Sequence, residues 1–200
     1  MYPIVFSWGK IKIYTHGLMM ASGAILGGAL IFYLARKKQI QFKFLFDTLV
    51  YSIFAGIIGA RIFYIILYYY QFDNWKEMFY LWQGGLVSFG GIFFGFLTAG
   101  LILRKYHQNV WQWFDLGLAG LFLGWAVGRI GCLLSGDIPG MLSNSKIALW
   151  GQIPIALFES IWTFLLSLLL TYLLIKKEEL ISRLGDGFLF WGGLWAYFVG

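Results

Sequence analysis

One cysteine, Cys132, and two histidines, His16 and His107, are all the thiol and imidazole ligands that 200 residues offer. A single thiol excludes an internal disulfide, and three such residues scattered over separate segments exclude the usual zinc arrangements, which need closely spaced pairs. No metal or other cofactor is expected. Charge is equally scarce: 12% of the residues are charged against 60% hydrophobic, and the mean hydropathy is +0.75, far from the balance of a soluble domain. The chain has neither a phosphate loop of Walker type nor a dinucleotide fingerprint. It also lacks a convincing repeat between residues 1–100 and 101–200, which argues against a two-halved transporter. The formal net charge of +6 does not point to nucleic acid, because the basic residues fall in short clusters between apolar runs, where they set membrane topology.

What remains is a series of apolar runs of about twenty residues, the length a membrane helix needs, rather than the short alternating segments of an outer-membrane barrel. The runs predict an all-α, polytopic bundle forming one integral membrane domain over residues 1–200. Its six spans are His16–Leu34, Leu45–Tyr69, Leu86–Leu103, Phe114–Leu134, Ile155–Ile175 and a shortened last one from Leu184. Nine basic residues (Arg36, Lys37, Lys38, Lys43, Arg104, Lys105, Lys176, Lys177, Arg183) lie on one side and four (Lys10, Lys12, Lys76, Lys146) on the other. That asymmetry predicts an N-terminus outside and cytoplasmic loops at 35–44, 104–113 and 176–183. Residues 1–12 lack the features of a signal peptide, so the first span is expected to stay in the mature chain. Glycine pairs such as Gly23/Gly27, Gly91/Gly95 and Gly120/Gly124 have the small-xxx-small spacing of close helix packing, and Gly56 and Gly59, three residues apart, fall on one helix face in the same way.

The fourth span ends in a polar run from Gly128 through Arg129, Gly131, Cys132, Ser135, Gly136 and Asp137 to Gly140. An arginine inside a membrane segment costs roughly 2.5–3.5 kcal/mol on insertion scales, so it implies a compensating anion; lipid phosphates are the abundant ones. Gly128, Gly131 and Gly140 would let a headgroup come close to the backbone. The topology gathers 13–17, 82–91, 128–140 and 153–159 on the outer side. Glu159 inside the fifth span demands a partner such as an intramembrane arginine. Arg61 lies deeper in the second span, suited either to a lipid phosphate or to a pair with Asp47, Asp115 or Glu159. Cys132, three residues after Arg129, shares its helix face but reads as a packing thiol rather than a nucleophile.

These residues together resemble the prolipoprotein diacylglyceryl transferase family over nearly the whole chain. The most specific likeness is Gly128-Arg129-Ile130-Gly131 followed by Gly136 and Gly140 and preceded by Asp115 and Gly124. Supporting it are Ile13-Tyr14-Thr15-His16-Gly17, Gly59-Ala60-Arg61-Ile62-Phe63-Tyr64, Trp82-Gln83-Gly84-Gly85 with Gly90-Gly91, and Pro154, Leu157, Phe158 and Glu159. There are departures from the family pattern. Cys132 and Ser135 stand where asparagines are common, Asp137 where a glutamate is, Phe89 in place of a histidine, and Ile153 and Ala156 in place of His and Gln. An arginine and a carboxylate of the family's last helix are missing, the arginine falling about where the chain stops at Gly200, so this is expected to be a variant member that is either cut short at its C-terminus or lacks those groups.

The resemblance implies an enzyme of the bacterial cytoplasmic membrane acting in lipoprotein biosynthesis. It would move the diacylglyceryl group of phosphatidylglycerol to the lipobox cysteine thiol of a prolipoprotein, near its signal peptide, and release glycerol phosphate. Such chemistry needs a phosphate clamp, for which Arg129 has the bidentate fork, and an acceptor for the thiol proton, either Asp137 or His16. Asp137 is suited equally to orienting Arg129. Arg61, Gly128, Gly131, Cys132, Ser135, Gly140 and Glu159 are the expected substrate-binding groups, and membrane lipid and signal peptides the expected partners. A catalytically dead relative that only binds lipid or signal peptide, and a small transporter using Arg61, Arg129 and Glu159, are the alternatives.

Overall fold

The computed structural model describes residues 3–8, 11–40, 42–72, 74–80, 85–137, 140, 142–143, 148, 151–176 and 184–200. Among them a hairpin, β1 (Ile4–Trp8) and β2 (Ile11–Tyr14), precedes six helices: α1 (Thr15–Lys37), α2 (Phe42–Tyr68), α3 (Ser88–Lys105), α4 (Val110–Ser135), α5 (Ile155–Lys176) and α6 (Phe188–Val199). Helices α1 to α5 are long and apolar enough to cross a membrane. The chain is a multi-pass helical membrane protein, and each expected span is recovered with its ends moved by a few residues. The last begins later than expected because Gly185 and Gly187, at φ 93° and 84°, turn the chain before α6 can start. The hairpin was not foreseen; its strands run antiparallel with Phe6 opposite Ile13. Thr15 opens α1 by donating its N–H to the Pro3 carbonyl at 3.0 Å, so strand and helix join without a linker.

The chain divides into two compact units, Met1–Gln39 with Trp111–Gly200, and Ile40–Val110. In the first, α4 is the most buried of the spanning helices. Its seam with α1 is made of glycines. A Cβ on Gly23 would stand 2.5 Å from the Gly124 carbonyl oxygen, and one on Gly27 would collide with the Gly120 carbonyl. The helices therefore run antiparallel with their backbones in contact, as the glycine spacing indicated. The seam of α4 with α5 is polar: Ser160 Oγ donates to the Ala126 carbonyl at 2.8 Å, and Ser167 Oγ to the Ala119 carbonyl at 2.7 Å. Hydrogen bonds between membrane helices contribute only about 0.6 kcal/mol each on average. Two such rungs, seven residues apart on both helices, chiefly fix the register.

In the second unit α2 and α3 meet through Gly56, Gly59, Gly90 and Gly91; a Cβ on Gly90 would lie 2.5 Å from the Gly59 carbonyl oxygen. Val87 donates its N–H to the Ala60 carbonyl at 3.1 Å, which pins the start of α3.

Neighbouring glycines on α1 give a controlled test of the seam, because nothing lies within 4 Å of a Cβ on Gly28. Gly27→Ala should destabilise the protein by about 2 kcal/mol through overpacking, while Gly28→Ala should be neutral or slightly stabilising. Thermal unfolding in detergent measures both, and equal midpoints would refute the backbone seam.

Candidate active site

Two polar clusters occupy the unit built from α1, α4, α5 and α6. The first centres on Glu159, whose Oε1 accepts three bonds: from Arg129 Nη2 at 2.9 Å, Trp125 Nε1 at 2.9 Å and Tyr197 Oη at 2.8 Å. The register of α4 and α5 explains the meeting. Ser160 is fastened to Ala126, so its neighbour Glu159 lies beside the residue one turn further along α4, which is Arg129. Trp125, one turn before Arg129, lies under the guanidinium with 5.3 Å from Cζ to the ring centroid. The expected intramembrane arginine partner of Glu159 is thus Arg129, and both side chains are about one-fifth exposed, at 22% and 20%. Arg129 Nε is buried and has no hydrogen-bond partner among the described residues. One part of the guanidinium is committed to protein, while another holds a donor in reserve.

The second cluster lies where α4 ends and α1 begins. Gly136, at φ 78°, stops α4 and donates its N–H to the Cys132 carbonyl at 3.0 Å, the usual device of a helix C-terminus. The chain turns so that Asp137 Oδ2 accepts the Ser135 hydroxyl at 2.7 Å and lies 3.5 Å from His16 Nδ1. His16 Nδ1 is also 3.5 Å from Cys132 Sγ. His16 and Asp137, expected as rival proton acceptors, are therefore neighbours, and Asp137 keeps company with the imidazole and Ser135. A proton on Nδ1 suits the negatively charged Asp137 oxygen better than the weakly accepting sulfur, which leaves Nε2 as the basic nitrogen. Both His16 and Asp137 are solvent-accessible, at 41% and 52%. Cys132 is buried.

The glycines of the signature make close approaches to neighbouring segments. A Cβ on Gly128 would meet Met20 Sδ at 2.7 Å, and one on Gly131 would meet Met19 Cβ at 2.7 Å. Gly140 abuts the Ile153 carbonyl. On the side where a Cβ would point, Gly131 admits the start of α1, with the His16 Cα 3.6 Å from its would-be Cβ.

Asp47, Asp115 and Glu159 were the expected carboxylate partners of Arg61, and its described hydrogen bonds go to backbone instead. Nε donates to the Met78 carbonyl at 2.9 Å, Nη1 to Gly85 at 3.0 Å, and Nη2 to Glu77 at 2.8 Å and Tyr80 at 3.3 Å. Tyr64 and Phe72 flank the guanidinium at 5.5 Å each, and Arg61 is 6% exposed. It is a clamp on the turn after α2. Of the four segments expected to build the site, 13–17, 128–140 and 153–159 belong to one unit and 82–91 to the other; residues 82–84, 138 and 139 lie outside the described residues. Trp125 and Tyr197 were not anticipated, although the spacing of Trp125 four residues before Arg129 was a usable signal.

Comparison with known proteins completes the picture. A family model described as prolipoprotein diacylglyceryl transferase matches residues 3–200. Phosphatidylglycerol–prolipoprotein diacylglyceryl transferase of Clostridium botulinum (strain Loch Maree / Type A3) is 29% identical over 194 residues, which cover 90% of this chain and 76% of the relative. The protein of the same name from Trichormus variabilis is 29% identical over 213 residues, covering 99% of this chain and 76% of that one.

Glu159→Gln can still accept from Trp125 and Tyr197 but removes the countercharge of Arg129. Losing one partner of a dry ion pair costs about 3–5 kcal/mol; with a fifth of each group exposed, about 2 kcal/mol is expected here. Adding Arg129→Gln should recover part of that loss in denaturant unfolding, and strictly additive losses would argue against the pair.

Proposed function

This chain belongs to the prolipoprotein diacylglyceryl transferase family, and we propose that it holds the lipid phosphate with Arg129 and takes the thiol proton with the His16–Asp137 pair. The activity is transfer of the diacylglyceryl group of phosphatidylglycerol to prolipoproteins. The acceptor is the lipobox cysteine. Its sulfur supplies the electron pair for a new bond to the terminal glycerol carbon of the lipid. The bond from that carbon to the phosphate oxygen breaks, and glycerol phosphate leaves with the bonding pair.

The observation that carries the reading is the buried, unpartnered Nε of Arg129 beside an Nη2 already committed to Glu159. A leaving phosphate answers both needs of such a group, charge and acceptor, and its negative charge grows as the bond breaks. Glu159, fixed by Trp125 and Tyr197, supports Arg129 rather than touching the lipid. The thiol must become a thiolate to attack, and His16 Nε2 is the acceptor, with Asp137 holding Nδ1–H and steadying the imidazolium that forms. His16 thus supplies the imidazole that Phe89 does not. Gly128 and Gly131 serve by admitting α1, and Arg61 by fastening its own turn. We place the protein in the bacterial cytoplasmic membrane with both clusters facing outward, supported by the nine-to-four division of basic residues.

Purified protein with phosphatidylglycerol and a lipobox peptide tests the chemistry. Arg129→Lys keeps a charge but loses the planar fork, so turnover should fall by about a hundredfold while the protein still accumulates. His16→Gln and Asp137→Asn should each be severely impaired, and the double variant little worse than His16→Gln, because the two act as one unit. Near-normal turnover in Arg129→Lys would remove the phosphate role, and additive His16 and Asp137 effects would separate the pair. Absence of transfer by the unmodified chain would favour a lipid- or peptide-binding relative.

Orientation is checked in a Cys132→Ala background with a membrane-impermeant maleimide applied from outside. Lys76→Cys should react, and Lys37→Cys and Lys105→Cys should react only after permeabilisation; the reverse pattern would turn both clusters to the cytoplasm.

A further inference from the structure

Asp115, near the start of α4, is 2% exposed, and a carboxylate so placed in a membrane helix needs a use. Its two oxygens go to a different helix. Oδ1 accepts the N–H of Phe190 at 2.7 Å, and Oδ2 accepts the N–H of Gly187 at 3.1 Å. These are the two donors that a capping box satisfies at a helix N-terminus, here taken by a single carboxylate from outside the helix. Gly187 has no side chain with which to cap α6 itself, and a Cβ there would press on Trp111 at 3.0 Å. The negative charge also faces the positive end of the α6 dipole.

Helix α6 thus receives its N-terminal anchor from α4 rather than from its own sequence. At its other end Tyr197 Oη donates to Glu159 Oε1 at 2.8 Å. Ten residues separate Gly187 from Tyr197, about 15 Å at the usual rise per residue. Between them Gly193 lies against Leu118, Leu170 and Phe122, and the Ala196 carbonyl accepts a hydrogen bond from Trp162 Nε1 of α5 at 3.3 Å. The Asp115 cap is the hold at the start of the helix.

We propose that Asp115 is a positioning residue for the transfer reaction: by capping α6 from α4 it sets the height of Tyr197 against Glu159, and through Glu159 the orientation of Arg129. The proposal rests on the phosphate role assigned to Arg129 above. Loss of the cap lets the first turn of α6 unwind and the helix slide. Tyr197 then leaves Glu159 Oε1, and the guanidinium loses one of the restraints on its carboxylate.

The test is a double-variant cycle on the full chain, using phosphatidylglycerol and a lipobox peptide, with Asp115→Asn, Tyr197→Phe and both together. The Asn amide keeps one acceptor and turns a donor toward the second N–H, so Asp115→Asn should lower kcat about tenfold. In the Tyr197→Phe background it should cost less than about twofold further. The loss of thermal stability from Asp115→Asn should be the same in both backgrounds, since the cap is broken in each. Coupled rates with uncoupled stabilities separate positioning from general loosening. Equal rate losses in both backgrounds would overturn the proposal while leaving the Arg129 role intact, provided Arg129→Lys remains impaired; an active Arg129→Lys would instead remove the reading beneath it. If Asp115→Asn does not accumulate, Asp115→Glu, which keeps two acceptor oxygens, takes its place in the cycle. Failure of both to fold would also overturn the proposal, by making Asp115 a residue of folding alone.

Discussion

A guanidinium and a carboxylate facing each other between two membrane helices place the strongest constraint on this protein. Neither Arg129 nor Glu159 is tolerable alone at that depth, and their meeting requires α4 and α5 to stand in one register. The serine rungs at 160 and 167 deliver that register, Trp125 lies beneath the cation, and Tyr197 brings α6 to the same carboxylate oxygen. Buried ion pairs are weak contributors to stability, since an apolar pair of similar size often serves as well. A pair held by so many separate restraints fits the proposed phosphate role, for which the cation must be kept oriented.

The helix that carries Arg129 also links it to the second cluster. Cys132 follows Arg129 by three residues on the same face, and its sulfur touches His16. On the proposed reading, anion binding and proton transfer fall to neighbouring stretches of one helix face, each completed by a different partner: α5 for the guanidinium, α1 for the imidazole. Because α1 approaches through Gly131, the glycine seam between α1 and α4 also brings His16 to Asp137.

The spans were legible because twenty apolar residues in a row permit few other fates. The need of Glu159 for an arginine was legible too, since burial of a lone charge is so costly. Other features turned on meetings that no local pattern records. His16 and Asp137 lie 121 residues apart and became neighbours only when the end of α4 met the start of α1. The hairpin before α1 is short, and most of its described side chains are exposed, so it left no alternating signature. Trp125 and Tyr197 were hidden by abundance: aromatics make up 21% of the chain, and two more attract no notice. The signature glycines were legible as close approaches, while the identity of what approaches was not, because a missing side chain admits a methionine as readily as a lipid.

Arg61 bonds to carbonyl oxygens, and carbonyls are the same in every residue. These bonds to Glu77, Met78 and Tyr80 do not depend on side-chain identity, and among the described residues of the turn Gly85, at φ 77° against the Tyr64 ring, has its identity fixed by the geometry. An arginine used this way decouples shape from sequence. So far as the clamp is concerned, the exposed aromatics Trp75 and Phe79 can be exchanged during evolution to suit a different lipid surface while the turn keeps its path.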